Sequence, residues 1–94
     1  MNKQERKISF TNQFKKDLKI AKKQGKNIAL LFDIIKKLAN DIPLNINQND
    51  HKLKGKLKGL RECHITPDWL LVYEKPDKNI LFLIELGSHS RLNF

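Results

Sequence analysis

One cysteine in 94 residues excludes an internal disulfide, and it leaves any metal site to rest on histidine and carboxylates. Cys63 is read as a small buried strand residue. No apolar run approaches the roughly 18 residues a membrane span needs, and no charged-then-apolar leader with a small-residue cleavage site is visible. The chain is therefore expected to be cytoplasmic, with no membrane partner. Acidic side chains are scarce as well: ten Asp and Glu stand against nineteen Lys and Arg, giving a net charge of +9 and a pI near 9.9. That excess points to a polyanionic partner, either nucleic acid or an acidic protein. With 39% hydrophobic residues, the chain supports one core and so one domain, residues 1–94.

Hydrophobic periodicity orders the elements. Lys7 to Phe10 reads as a short first strand. Thr11 or Asn12 caps a helix whose apolar positions Phe14, Leu18 and Ala21 form a narrow stripe among lysines. Gly25 supplies a left-handed stop. Asn27 opens a second, more buried helix on Ile28, Leu31, Ile35 and Leu38, with Leu30, Phe32 and Ile34 widening its apolar face. Pro43 and the polar run Asn45 to Asp50 form a loop. The segment Asp50 to Gly59 alternates lysine with apolar or glycine residues, as an irregular edge or mobile loop does. Strands follow at about 60–65, 69–75 and 79–86, the last two joined through Pro76-Asp77-Lys78 as an antiparallel hairpin. Gly87 then releases the tail.

The densest chemistry lies in Arg61 to Tyr73, where a basic side chain, an imidazole, a carboxylate and an indole surround Pro67. The chain has only three histidines, and His51, His64 and His89 each fall at a break in regular structure. Each taken singly has an ordinary solvated or structural reading; together with Asp68 and Arg61 they suit acid–base chemistry. A metal site of the three histidines and Asp68 lacks any short ligand spacing, and the neighbouring lysines would repel a cation, so no metal or other cofactor is expected. RNA cleavage fits the charge better. It needs a base for the 2′-hydroxyl, an acid for the departing 5′-oxygen and cations at the phosphorus, and imidazole can serve in either proton transfer near neutral pH. Lys52, Lys54, Lys56 and Arg61 can supply positive charge, and Trp69 can stack on an unpaired base unless it is simply a core residue.

Three motifs, taken in order, resemble the YafQ branch of the RelE/ParE superfamily of bacterial type II toxin–antitoxin toxins. They are Asp50-His51-Lys52-Leu53-Lys54-Gly55, Arg61 through Tyr73, and Leu86-Gly87-Ser88-His89-Ser90. The resemblance implies an α+β fold of the microbial-ribonuclease type, with an N-terminal helical hairpin packed on a twisted antiparallel sheet. It also implies ribosome-dependent cleavage of messenger RNA in the 30S decoding site and neutralisation by a cognate antitoxin. Carried over by position, the functional residues are His51, His64, Asp68, Trp69 and His89, with Phe94 as a terminal aromatic displaced one place by Asn93. Two positions depart from the pattern: Glu85 stands where relatives usually carry an arginine, and Arg91 where they usually carry an acidic or small residue. Arg91 is accordingly expected to fold over Glu85 and offer its guanidinium to phosphate. Two other readings stand beside this one: a gyrase-type inhibitor that binds a protein and cuts nothing, and a catalytically weakened basic RNA-binding protein.

Overall fold

A computed structural model of the chain describes residues 5–55 and 59–92. Its elements are β1 (Lys7–Phe10), α1 (Asn12–Lys23), α2 (Ile28–Ala39), a 3₁₀ turn (Ile46–Gln48), β2 (His51–Lys52), β3 (Arg61–Thr66), β4 (Trp69–Asp77) and β5 (Ile80–Gly87). Both helix starts follow local chemistry. The Thr11 hydroxyl oxygen accepts the Phe14 N–H at 2.9 Å, and the Asn27 side chain accepts that of Leu30 at 3.0 Å. Thr11 also donates to the Ile84 carbonyl at 2.6 Å, which ties the start of α1 to β5. Gly25 sits at φ +73°, where a side chain would be strained, and closes α1 before the second helix begins.

The strands form one sheet in the order β1-β5-β4-β3-β2. Neighbours from β2 to β5 are antiparallel, as the short connections β3–β4 and β4–β5 require. β1 corrects the all-antiparallel expectation: it runs parallel to β5, from which it is separated by both helices and three strands, so no hairpin fixes its direction. The Lys-rich segment contributes the edge as a two-residue strand, and the polar loop before it holds the 3₁₀ turn.

Both helices lie against one face of the sheet. Phe14 and Ala21 from α1 and Leu31, Ile34, Ile35, Leu38 and Ala39 from α2 pack with Cys63, Ile65, Trp69, Leu71, Tyr73, Leu81, Leu83 and Leu86. As expected, α2 is the more buried helix, but Phe32 lies outside its apolar stripe and is 51% exposed. The opposite, outer face carries a smaller cluster of Leu70, Val72 and Leu92, flanked by Leu53, Leu60 and Ile84. Period-two alternation divides β3 and β4 between the two faces, whereas a register shift along β5 turns both Leu83 and Leu86 toward the helices. On β3 it sends Arg61, Cys63 and Ile65 to the helix side and Glu62 and His64 outward, in register with Tyr73, Leu71, Val72 and Leu70 of β4. No helix among the described residues is long and apolar enough to cross a membrane.

Candidate active site on the outer face of the sheet

The β3–β4 connection is tight. β3 ends at Thr66, Pro67 and Asp68 make the turn, and Trp69 begins β4. His64 lies just before this turn on the outer face, opposite Leu70, and Leu70 is in turn opposite Gly87 of β5. The tail turns back from Gly87 and places His89 over this end of the sheet. The His64 and His89 rings meet edge to face, with centroids 5.1 Å apart. Asp68 holds the tail from below, its Oδ1 accepting the His89 backbone N–H at 3.2 Å. Leu92 completes the return by packing onto Leu70 and Val72. A Cβ on Gly87 would come within 3.0 Å of the Leu92 side chain, so glycine is what lets the tail lie this close.

His51 reaches the same face from β2. It pairs in register with Glu62, which is two residues from His64 on β3, a spacing of roughly 7 Å along a strand. Asn49, in the left-handed conformation at φ +46°, directs its carbonyl at His51 Nδ1, 2.6 Å away. Because a carbonyl only accepts, this contact places a proton on Nδ1 and leaves Nε2 as the nitrogen facing Glu62 Oε1, at 3.5 Å. Lys52 and Lys54 beside it are exposed. The next row across the face runs Glu62, Val72, Glu85. Glu85 therefore shares the surface that carries the imidazoles.

Several residues expected to contact RNA are placed away from the histidine face. Arg61 falls on the helix side by strand parity, where its Nε donates to Asp50 at 3.2 Å and to the Tyr73 hydroxyl at 3.1 Å. Tyr73 donates to Asp50 at 2.5 Å, and burial followed by that carboxylate pushes its phenol well above the usual tyrosine range. Arg61 thus braces a part-buried network rather than facing the histidines. Trp69 is 3% exposed and belongs to the helix-side core, so its ring is closed to a base in this conformation. Arg91 does not fold over Glu85: its Nη2 meets Asp17 Oδ1 of α1 at 2.5 Å, and its Nη1 donates to the Leu86 carbonyl at 3.2 Å. Lys56 and Phe94 lie outside the described residues.

Asp17 was not singled out in the sequence, where it looks like one more polar residue on a lysine-rich helix. It is 2% exposed and accepts from Gln13, Leu86 and Arg91. A cleft of about 400 Å³ lies beside this contact, bordered by Asp17, Lys26, Asp68, Trp69 and Arg91. Cys63, also buried on the helix side, has its thiol pushed up to about 12, first by burial and then by the nearby Asp50 and Glu62 carboxylates. It is packing, not a nucleophile.

Among the described residues, two helices cover one face of a five-stranded sheet and imidazoles and carboxylates gather on the other, the architecture of a small α+β protein. A family model described as "Bacterial toxin of type II toxin-antitoxin system, YafQ" matches residues 6–93. The mRNA interferase toxin YafQ of Escherichia coli K12 is 37% identical over 89 residues, covering 94% of this chain and 96% of the relative. The E. coli DinJ–YafQ toxin–antitoxin complex contains a chain that superposes with a TM-score of 0.85 at 37% identity, covering 95% of this chain and 98% of that one. A metal-bound toxin from Helicobacter pylori gives the same TM-score, 0.85, at 48% identity, covering 95% and 99%. The chain belongs to the YafQ family of bacterial type II toxin–antitoxin toxins. Among its described residues, no group of three or more His, Cys, Asp or Glu is arranged to hold a metal ion.

Proposed function

We propose that this protein is a ribosome-dependent mRNA endoribonuclease, held in check by a cognate antitoxin and acting in the cytoplasm. The observation that carries the reading is the convergence of His64, Asp68 and His89 on the outer face that His51 also reaches. The curated E. coli relative is named an mRNA interferase, and the DinJ–YafQ complex gives a family precedent for the antitoxin.

His51 and His89 form the acid–base pair. One imidazole takes the proton of the 2′-hydroxyl as the 2′-oxygen attacks phosphorus. The bond from phosphorus to the 5′-oxygen breaks, and the other imidazole protonates that leaving oxygen. The products are a 2′,3′-cyclic phosphate and a 5′-hydroxyl. On His51 the Asn49 carbonyl fixes the tautomer, so Nε2 is the transferring nitrogen. His64 supports the His89 ring through their edge contact, and Asp68 holds the His89 backbone. With Arg61 on the other side of the sheet and Arg91 engaged by Asp17, positive charge for the phosphate comes from Lys52, Lys54 and whichever imidazole is protonated. Glu85 on the same face opposes it, and this favours one second reading, a catalytically weakened RNA-binding toxin.

Expression of the chain without its antitoxin, with mRNA 5′ ends mapped in the presence and absence of ribosomes, separates the possibilities. Codon-phased cuts that require ribosomes are the expected result. DNA damage without cuts would indicate a gyrase-type inhibitor, and neither outcome would indicate RNA binding alone.

A further inference from the structure

The Asp17 carboxylate takes no part in the chemistry above, yet its partners join α1 to the tail that carries His89. Its Oδ2 accepts the Leu86 backbone N–H at 3.0 Å, and its Oδ1 accepts Gln13 Nε2 at 2.8 Å and Arg91 Nη2 at 2.5 Å. Arg91 uses its other terminal nitrogen on the Leu86 carbonyl, at 3.2 Å. Carboxylate and guanidinium therefore grip the N–H and the C=O of one residue, Leu86, directly before the tail leaves the sheet. Between Leu86 and Leu92 the chain closes into a compact turn. The Leu92 N–H donates to the Ser88 carbonyl at 2.9 Å, and the Arg91 N–H to the Ser88 hydroxyl at 3.3 Å. His89 sits at the outer bend of this turn.

We propose that Asp17 and Arg91 are positioning residues for His89: their ion pair clamps the base of the 87–92 turn and so holds the imidazole against His64 and over the outer face. A planar guanidinium fixes two donor directions at once, which one flexible ammonium does not. Swinging the turn away would leave a carboxylate that is 2% exposed without its cation, and an unpaired buried charge is strongly disfavoured. The clamp also reassigns Arg91. Its side chain is 43% exposed, but the charge faces Asp17 rather than an approaching phosphate. The catalytic consequence rests on the nuclease reading; the geometric one does not.

Displacing a catalytic group by about 1 Å costs on the order of 10²-fold in rate. Arg91→Gln is expected to lower kcat for RNA cleavage by roughly 10- to 100-fold, with KM and the salt dependence of RNA binding nearly unchanged. Arg91→Lys should recover part of that loss. Asp17→Asn should give a similar loss, and the double variant should be no worse than either single one, as residues of one contact behave. Independently of activity, the nuclear Overhauser contact between the His64 and His89 rings should weaken in Arg91→Gln, a variant whose substitution lies at the exposed end of the pair. The proposal is overturned if Arg91→Gln keeps both kcat and the ring contact. It is equally overturned if Arg91→Gln keeps kcat while the salt slope of RNA binding falls by about 0.7, the signature of a lost single-strand phosphate contact. Should the parent cut no RNA, the nuclease reading fails on its own, while loss or retention of the ring contact still decides for or against the clamp.

Discussion

The two faces of the sheet solve different problems with the same strands. On the helix side, β3 and β4 contribute Cys63, Ile65, Leu71 and Tyr73 to a closed core, and their polar atoms are spent internally, as in the bridge from Tyr73 to Asp50 and Arg61. On the outer face, the alternate residues of the same strands leave His64 half-buried beside His89, with His51 one strand away. Neighbouring residues on one strand thus divide between the closed core and the proposed site. Substitutions on the two faces should therefore separate into those that move folding and those that move rate.

The largest effect expected is on rate. His89→Ala and His51→Ala should each slow RNA cleavage by about 10²- to 10⁴-fold, the usual worth of a positioned acid or base, while their urea midpoints stay near the parent's. Next comes Leu71→Ala on the helix side, which should destabilise the fold by about 2–5 kcal/mol through a cavity at a fully buried position. Equilibrium urea denaturation measures that loss. Tyr73→Phe should cost about 1–3 kcal/mol, because Asp50 and Arg61 lose a shared partner, and the folded fraction should keep its kcat.

The pH dependence of the helix side follows from the same burial. The Cys63 thiol is pushed up from 9.0 to about 12, and burial beside Asp50 also raises the Tyr73 phenol above the usual tyrosine range. Above pH 9 the unfolded chain gives up the Cys63 proton that the folded chain retains, so this contribution is complete below that pH and is lost as pH rises toward about 12. The urea midpoint should fall across that window, and less steeply in Cys63→Ala. The smallest effect is expected at the edge. Lys52→Gln and Lys54→Gln should each reduce the salt slope of RNA binding by about 0.7 if they meet single-stranded phosphate, with little change in stability.

Local features are legible in the sequence. Thr11 and Asn27 announce helices because a cap needs only its own next turn, and the connections after β3 and β4 announce hairpins because their length permits little else. Strand parity went unused at Arg61, which was expected beside the histidines: once Arg61 to Thr66 is a strand, Arg61 and His64 must face opposite ways. Trp69 was harder. β4 is apolar on both faces, so alternation could not tell whether the indole enters the core or stays open to a base. Asp17 was invisible to pattern reading, because its meaning depends on Arg91, 74 residues away, which the sequence alone paired with Glu85 instead. The parallel pairing of β1 with β5 is likewise long-range, and no turn specifies it.

The assignment of chemistry to the outer face is tested most directly by the ends left on a message cleaved on programmed ribosomes, compared between the parent and His89→Ala. The parent is expected to leave 2′,3′-cyclic phosphate and 5′-hydroxyl ends, and His89→Ala to produce the same ends at least about 100-fold more slowly with ribosome binding intact. Ends carrying a 3′-hydroxyl and 5′-phosphate, or an undiminished rate in His89→Ala, would contradict it.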